Sequence, residues 1–246
     1  MMKNKSEFWK WSAHRLLVFM LLLFTGGSVS VATNNGRDEL HEKLTARVKD
    51  FNSNNSPLIP TLLRVASDYD LPMGIEKVVS EALDKPIDVN LRDATVAQLL
   101  DVCIHRLSGY SWTRQDGVVL VYAADELDDP SNLFNFVIPA FEAHDESLNA
   151  ANFGLVIKLY KEKDKPKTIV GSYPGSMEFE DHRLTLTMRN AKVRQILNRL
   201  VASYGSAVWI ARVPPDRLSQ RPHAGLWTIL PNSVQNPRGW LEGFDK

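Results

Sequence analysis

Apolar residues at Val96, Leu99, Leu100, Cys103, Ile104 and Leu107 fall at i, i+3, i+4, i+7, i+8 and i+11, one stripe of an α-helix. The same stripe returns in Val193, Ile196, Leu197, Leu200, Val201 and Tyr204. Ahead of each stripe the period changes to two: Ile87, Val89 and Leu91 alternate with Asp88 and Asn90, as Leu184, Leu186 and Met188 do with Thr185 and Thr187. That alternation predicts half-buried strands. Thr95 and Gln98 have the spacing of a capping box, Asn190 can cap the second helix, and Gly109 and Gly205 end the two. After each helix comes a strand (Tyr110–Thr113, Ala207–Ile210) and a return strand (Val118–Tyr122, Gly225–Leu230). Asp116-Gly117 marks a tight hairpin in the first case, and Pro214–His223 reads as a long exposed loop in the second.

Ile87–Leu100 thus recurs as Leu184–Leu197, with Arg92, Ala94, Val96, Gln98, Leu100 and Trp112 matched by Arg189, Ala191, Val193, Gln195, Leu197 and Trp209, always 97 positions on. Upstream the offset is 90: Phe51 and Leu58 match Phe141 and Leu148. A strand at Thr45–Phe51 precedes a helix with Leu58, Leu62, Leu63, Val65 and Ala66; a strand at Phe136–Phe141 precedes one with Leu148, Ala151, Phe153, Leu155 and Val156. The charged stretch Lys161–Lys167 accounts for the seven extra residues, and Gly74 aligns with Gly171 in a further strand of each copy. The expected fold is α+β: two tandem βαβ-βαββ units, each with two helices against a small sheet.

A basic segment with Lys3, Lys5, Lys10 and Arg15 precedes the apolar run Leu16–Phe24 and a small-residue stretch ending at Ala32. This is the order of an export signal cleaved between Ala32 and Thr33. The run of nine residues is short against the roughly 20 needed to cross a bilayer. An uncleaved inner-membrane anchor over residues 12–32 is the alternative. The expected organisation is a signal peptide at 1–32, a first domain at 33–124, an acidic linker at 125–132, a second domain at 133–231 and a tail at 232–246.

The strand and helix Pro86–Leu100, closed by Tyr110-Ser-Trp112 and the Gly117–Val121 hairpin, resemble the short N-terminal domain shared by secretins and TonB-dependent signal-transducing receptors. The first copy resembles it over about residues 44–123 and the second more loosely over about 134–231. The doubled arrangement is similar to that of other exported bacterial proteins. The resemblance implies a periplasmic protein-interaction module without catalytic residues, one that docks onto a partner or packs with its neighbours in a ring. No plug, barrel or pore region follows, so pore formation and uptake do not carry over.

Charge narrows the partners further. Without residues 1–32 the chain has 25 Lys and Arg against 28 Asp and Glu, a net charge of −3, which lacks the positive field that nucleic acid wants. The expected partner is a protein of the cell envelope or a second copy, with membrane contact only through an uncleaved signal. His41-Glu42-Lys43-Leu44-Thr45 has Thr where a zinc-protease helix needs its second His. Gly171–Ser176 lacks the spacing of a nucleophile elbow, and His144-Asp145-Glu146 reads as a solvated helix start. No catalytic, metal or cofactor residue is expected, and the enzyme and ligand-carrier readings rank below adaptor and self-assembling component. Cys103, the single cysteine, is expected to be a buried thiol, and Arg92 and Arg189 to be structural. Candidate partner-binding residues are Trp227, Arg217 and Arg221 around the long loop, and Trp240, Leu241 and Phe244 in the tail, an aromatic cluster in a polar segment.

Overall fold

The chain of apolar stripes and alternating strands closes around one central sheet. The computed structural model describes residues 34–78, 82, 84–124, 127–130, 132–162, 171–172, 182–212 and 226–231. The expected export signal with Ala32 and Thr33, most of the Lys161–Lys167 stretch, the expected Pro214–His223 loop with Arg217 and Arg221, and the tail with Trp240, Leu241 and Phe244 lie outside them. Residues from Gly36 onward form one compact unit.

A helix α1 (Asn34–Thr45) leads into β1 (Arg47–Pro57), α2 (Leu58–Asp68), β2 (Met73–Val78), β3 (Pro86–Thr95), α3 (Val96–His105), β4 (Tyr110–Gln115) and β5 (Val118–Ala123). After a 3-10 turn at Leu133–Asn135 the same order recurs in β6 (Val137–Ser147), α4 (Leu148–Glu162), β7 (Gly171–Ser172), β8 (Arg183–Lys192), α5 (Val193–Tyr204), β9 (Ala207–Arg212) and β10 (Leu226–Pro231). The fold is α+β.

Strands β1 and β3 pair as an antiparallel ribbon, and β6 and β8 form a second. Each ribbon carries a bulge, between Ser53 and Ser56 in one and between Ala143 and Glu146 in the other, positions again 90 apart. Inside each bulge one residue has positive φ, Asn55 at 52° and Asp145 at 51°. Its backbone N–H donates across the ribbon, Asn55 to Asp88 Oδ1 at 2.8 Å and Asp145 to Thr185 Oγ1 at 3.2 Å. Asn and Asp tolerate this left-handed conformation best among non-glycine residues.

The capping box of α3 is formed: Gln98 N–H donates to Thr95 Oγ1 and Thr95 N–H to Gln98 Oε1. Asn190 does not cap α5. It sits at φ 48° within β8, and the N-cap position is Lys192, whose N–H donates to Gln195 Oε1 at 2.9 Å. Gly205, at φ 90°, closes α5 with its N–H on Val201 O. Helix α3 ends earlier, at Arg106, and Gly109 turns the chain into β4.

The remaining strands join into one six-stranded sheet in the order β4-β5-β2-β9-β10-β7, so the strands of the two halves share a sheet rather than forming one each. The two hairpins β4/β5 and β9/β10 are antiparallel, while β2 runs parallel to both β5 and β9 and β7 runs parallel to β10. Alternate side chains feed two cores. Met73, Ile75, Val119, Val121, Val208 and Ile210 join the core of α2 and α3. Val118, Leu120, Trp209, Trp227 and Ile229 join that of α4 and α5. Helices of the first half thus cover one face and helices of the second half the other. Unbroken burial over Val118–Val121 and Ala207–Ala211 follows, because a sheet covered on both faces has no polar side.

The register also revises one alignment. Val121 pairs Trp112 and Ile229 pairs Trp209, so Val119 corresponds to Trp227. Met73 pairs Val119 and Ser172 pairs Trp227. Gly171, opposite Leu226, therefore lies two residues short of the place Gly74 occupies.

Candidate functional site

Where the two halves meet, β2 lies beside β9 with Gly74 opposite Trp209. The Trp209 indole lies over that glycine, and a Cβ there would stand 2.5 Å from Cε2 and 2.8 Å from Cζ2. Trp209 Nε1 donates to Asn198 Oδ1 at 2.8 Å inside the core. Below it Glu76 accepts from Arg194 Nε at 2.6 Å, from Arg194 Nη2 at 2.8 Å and from Asn132 Nδ2 at 2.7 Å. Asn135 Oδ1 accepts from Arg194 Nη1 at 2.9 Å. The side chains of Arg194 and Glu76 are 2% and 3% exposed, so the pair survives only because each polar atom is matched. This network fastens α5 to β2 and the connecting segment to both.

Trp227 is not an open anchor. It is fully buried, with Nε1 on Asn152 Oδ1 at 2.9 Å, and Phe134 packs edge-on against it at 6.2 Å and in a tilted contact against Trp209 at 5.5 Å. The side chain continues the apolar face of β10 into the second core, which is why a tryptophan was accommodated there. Cys103 is fully buried, and burial pushes its thiol up to about 12. Arg92 makes a surface ion pair with Asp50 at 3.5 Å.

Outward-facing apolar groups concentrate on α4. Phe153, Ile157 and Tyr160 are 59%, 39% and 44% exposed and fall at i, i+4 and i+7. The buried stripe of this helix is Leu148, Ala151, Asn152, Leu155, Val156 and Leu159, so Phe153 lies off it rather than in it. The first half differs at these places: 90 positions earlier stand Leu63, which is buried, and the polar Ser67 and Asp70. Beside the stripe an open groove of about 510 Å³ is lined by Phe141, Glu142, Glu146, Phe153, Gly154 and Lys158. Its lining combines two carboxylates of β6 and the ammonium of Lys158 on α4 with the rings of Phe141 and Phe153.

The second surface is the outer edge of β4. Ala124 N–H donates to Gly109 O, so Ser111, Thr113 and Gln115 take the hydrogen-bonding positions toward β5. The backbone of Trp112 and Arg114 is directed away from the sheet. Trp112 Nε1 donates to Asp101 Oδ1 at 2.7 Å, the same bond that Trp209 makes to Asn198, with donor and acceptor each 97 positions apart in sequence. Trp112 is only half-buried. Sequence reading matched the two tryptophans but missed their acceptors, although Asp101 and Asn198 stand 11 positions before them in both copies.

Among the described residues no group of three or more His, Cys, Asp or Glu comes together as a metal cluster, and no helix is long and apolar enough to cross a membrane. His41 lies beside Arg114, its Nδ1 3.3 Å from Nη1. Compared with known proteins, the chain matches no family model, no curated protein and no solved structure.

Proposed function

We propose that the chain is a non-enzymatic protein-interaction module of the bacterial cell envelope, periplasmic or secreted, acting as an adaptor like the short N-terminal domains of secretins and TonB-dependent transducers that it resembles. The observation that carries this reading is the Phe153, Ile157 and Tyr160 face of α4. Among the described residues, three of the four exposed large apolar side chains lie there, beside a groove whose lining includes Glu142, Glu146 and Lys158. Clustered aromatic exposure with a polar surround is the make-up of a protein-binding surface. The first half, built on the same order of elements, lacks it.

A photo-crosslinking residue at position 157, used in cells and followed by mass spectrometry, tests the proposal. The expected result is a reproducible envelope protein whose adduct disappears with Phe153→Asp while the thermal transition holds. Absence of any reproducible adduct removes the adaptor reading. A self-assembling component is the second reading, favoured by β4 and β7 ending the sheet with no further strand paired to them among the described residues. Sedimentation of the full chain decides it, since a concentration-independent monomer excludes strong self-assembly.

A further inference from the structure

We propose that the outer edge of β4 is a second docking site, one that takes a single extended segment of another protein, running parallel to β4, with a glycine opposite Trp112. The chain contains its own template for this complex. Strand β9 stands in the second half where β4 stands in the first, and its outer edge is filled by β2 in parallel, Gly74 opposite Trp209. The indole bonds to an Asp or Asn on the preceding helix in both halves, and that of Trp209 lies over the neighbouring strand, leaving room for it only where that strand has no side chain. Trp209, with its glycine strand in place, is fully buried, while Trp112 is not.

Among the described residues no strand pairs with this edge, and its one charged side chain, Arg114, lies beside His41 of α1. Soluble proteins usually blunt an edge strand with proline, lysine or a bulge. β4 contains neither proline nor lysine, and its register with β5 is unbroken over six pairs. With Trp112 and Arg114 presenting backbone donors and acceptors outward, the edge offers the hydrogen-bonding row that strand addition uses.

Differences from the template define the partner. Beside Trp209, β9 presents Val208 and Ile210; beside Trp112, β4 presents Ser111 and Thr113. The residues flanking the partner's glycine therefore meet hydroxyls, which suits threonine or serine rather than the Met73 and Ile75 of β2. A second copy does not meet the requirement through β7, because Gly171 lies two residues short of the Gly74 position in that strand's register.

The test uses the full chain and a seven-residue synthetic peptide with a central glycine, threonine on each side of it and valine beyond, tracked by Trp112 fluorescence and calorimetry. Binding is expected for the wild-type chain and for Arg114→Ala, which keeps the backbone N–H. Arg114→Pro deletes that outward donor without touching a bond to β5, and replacing the peptide's glycine by valine drives a side chain into the indole. Each change is expected to weaken binding by roughly tenfold or more with the thermal transition of the protein unchanged. No binding up to about 1 mM, or binding indifferent to both changes, overturns the assignment. So does a concentration-dependent dimer of the chain that Arg114→Pro abolishes, because the edge is then taken by a second copy. The α4 crosslink is independent of every one of these outcomes.

Discussion

Gly74→Ala adds one methyl at the join between the halves, and its cost can be worked from the contacts around it. The new Cβ would lie 2.5 Å from Trp209 Cε2 and closer still to Nε1, so either the indole or β2 must move. The indole has no free direction: Trp209 is fully buried, bonded to Asn198 and packed on Phe134. Overpacking of a tight core costs about 1–3 kcal/mol. Pulling Nε1 off the buried Asn198 oxygen costs about another 1–3 kcal/mol. Against this, replacing glycine within a strand recovers roughly 0.5–1 kcal/mol of backbone entropy. The net expectation is a loss near 3 kcal/mol, measured by urea unfolding with tryptophan fluorescence, together with a shifted emission in the native state as the indole is displaced. Gly154→Ala is the control. Nothing lies within 4 Å of its added methyl on α4, and helix propensity predicts a gain of up to about 1 kcal/mol. A Gly74→Ala protein within about 0.5 kcal/mol of wild type would refute the packing of β2 on β9, because an ordinary exposed site shows no more than that.

Removing Arg194 alone leaves Glu76 buried without its counter-charge, and Arg194→Leu is expected to cost about 3–5 kcal/mol, while the Glu76→Leu, Arg194→Leu double substitution recovers most of it in a double-mutant cycle. Leu100→Ala and Leu197→Ala, both at fully buried positions, should each lose about 2–5 kcal/mol in denaturant titration; two negligible losses would contradict the core assignment. Cys103 is protonated in the fold up to about pH 12 and in the unfolded chain only to about pH 9, so its contribution is intact below pH 9 and drains as pH rises through that window. Between about pH 8 and about pH 10 the wild type should lose about 1 kcal/mol more than Cys103→Ala, and the native thiol should resist labelling at neutral pH until urea exposes it.

Period and capping made most of the elements readable. The stripe from Val96 to Ile104 and the alternation from Ile87 to Leu91 became α3 and β3, with Leu107 buried just past the helix, and the Thr95 capping box formed as spaced. The shared sheet was less readable, because pairing between distant strands leaves no local signature. Its one trace was the unbroken apolar run from Val118 to Tyr122, which a strand with a wet face does not need. In α4 apolar residues occur nearly all round, so Leu148, Ala151 and Leu155 identified a helix without fixing which side Phe153 would take. Trp227 had no matching tryptophan to argue from, and its burial depends on Asn152 and Phe134, which are 75 and 93 positions away. For Asn190, a good capping residue lost its role to geometry: the β8 backbone needed a left-handed position there.

The pairing of Met73 with Val208 spans 135 residues, and this dictates an order of events during synthesis. Strands β4, β5 and β2 can assemble once the first half has emerged, but the outer edge of β2 and one face of that half-sheet stay bare until β9 and α5 arrive. Contacts this distant close slowly, and the exposed edge is a template for aggregation in the interval. A chain built this way gains from being held unfolded until it is complete.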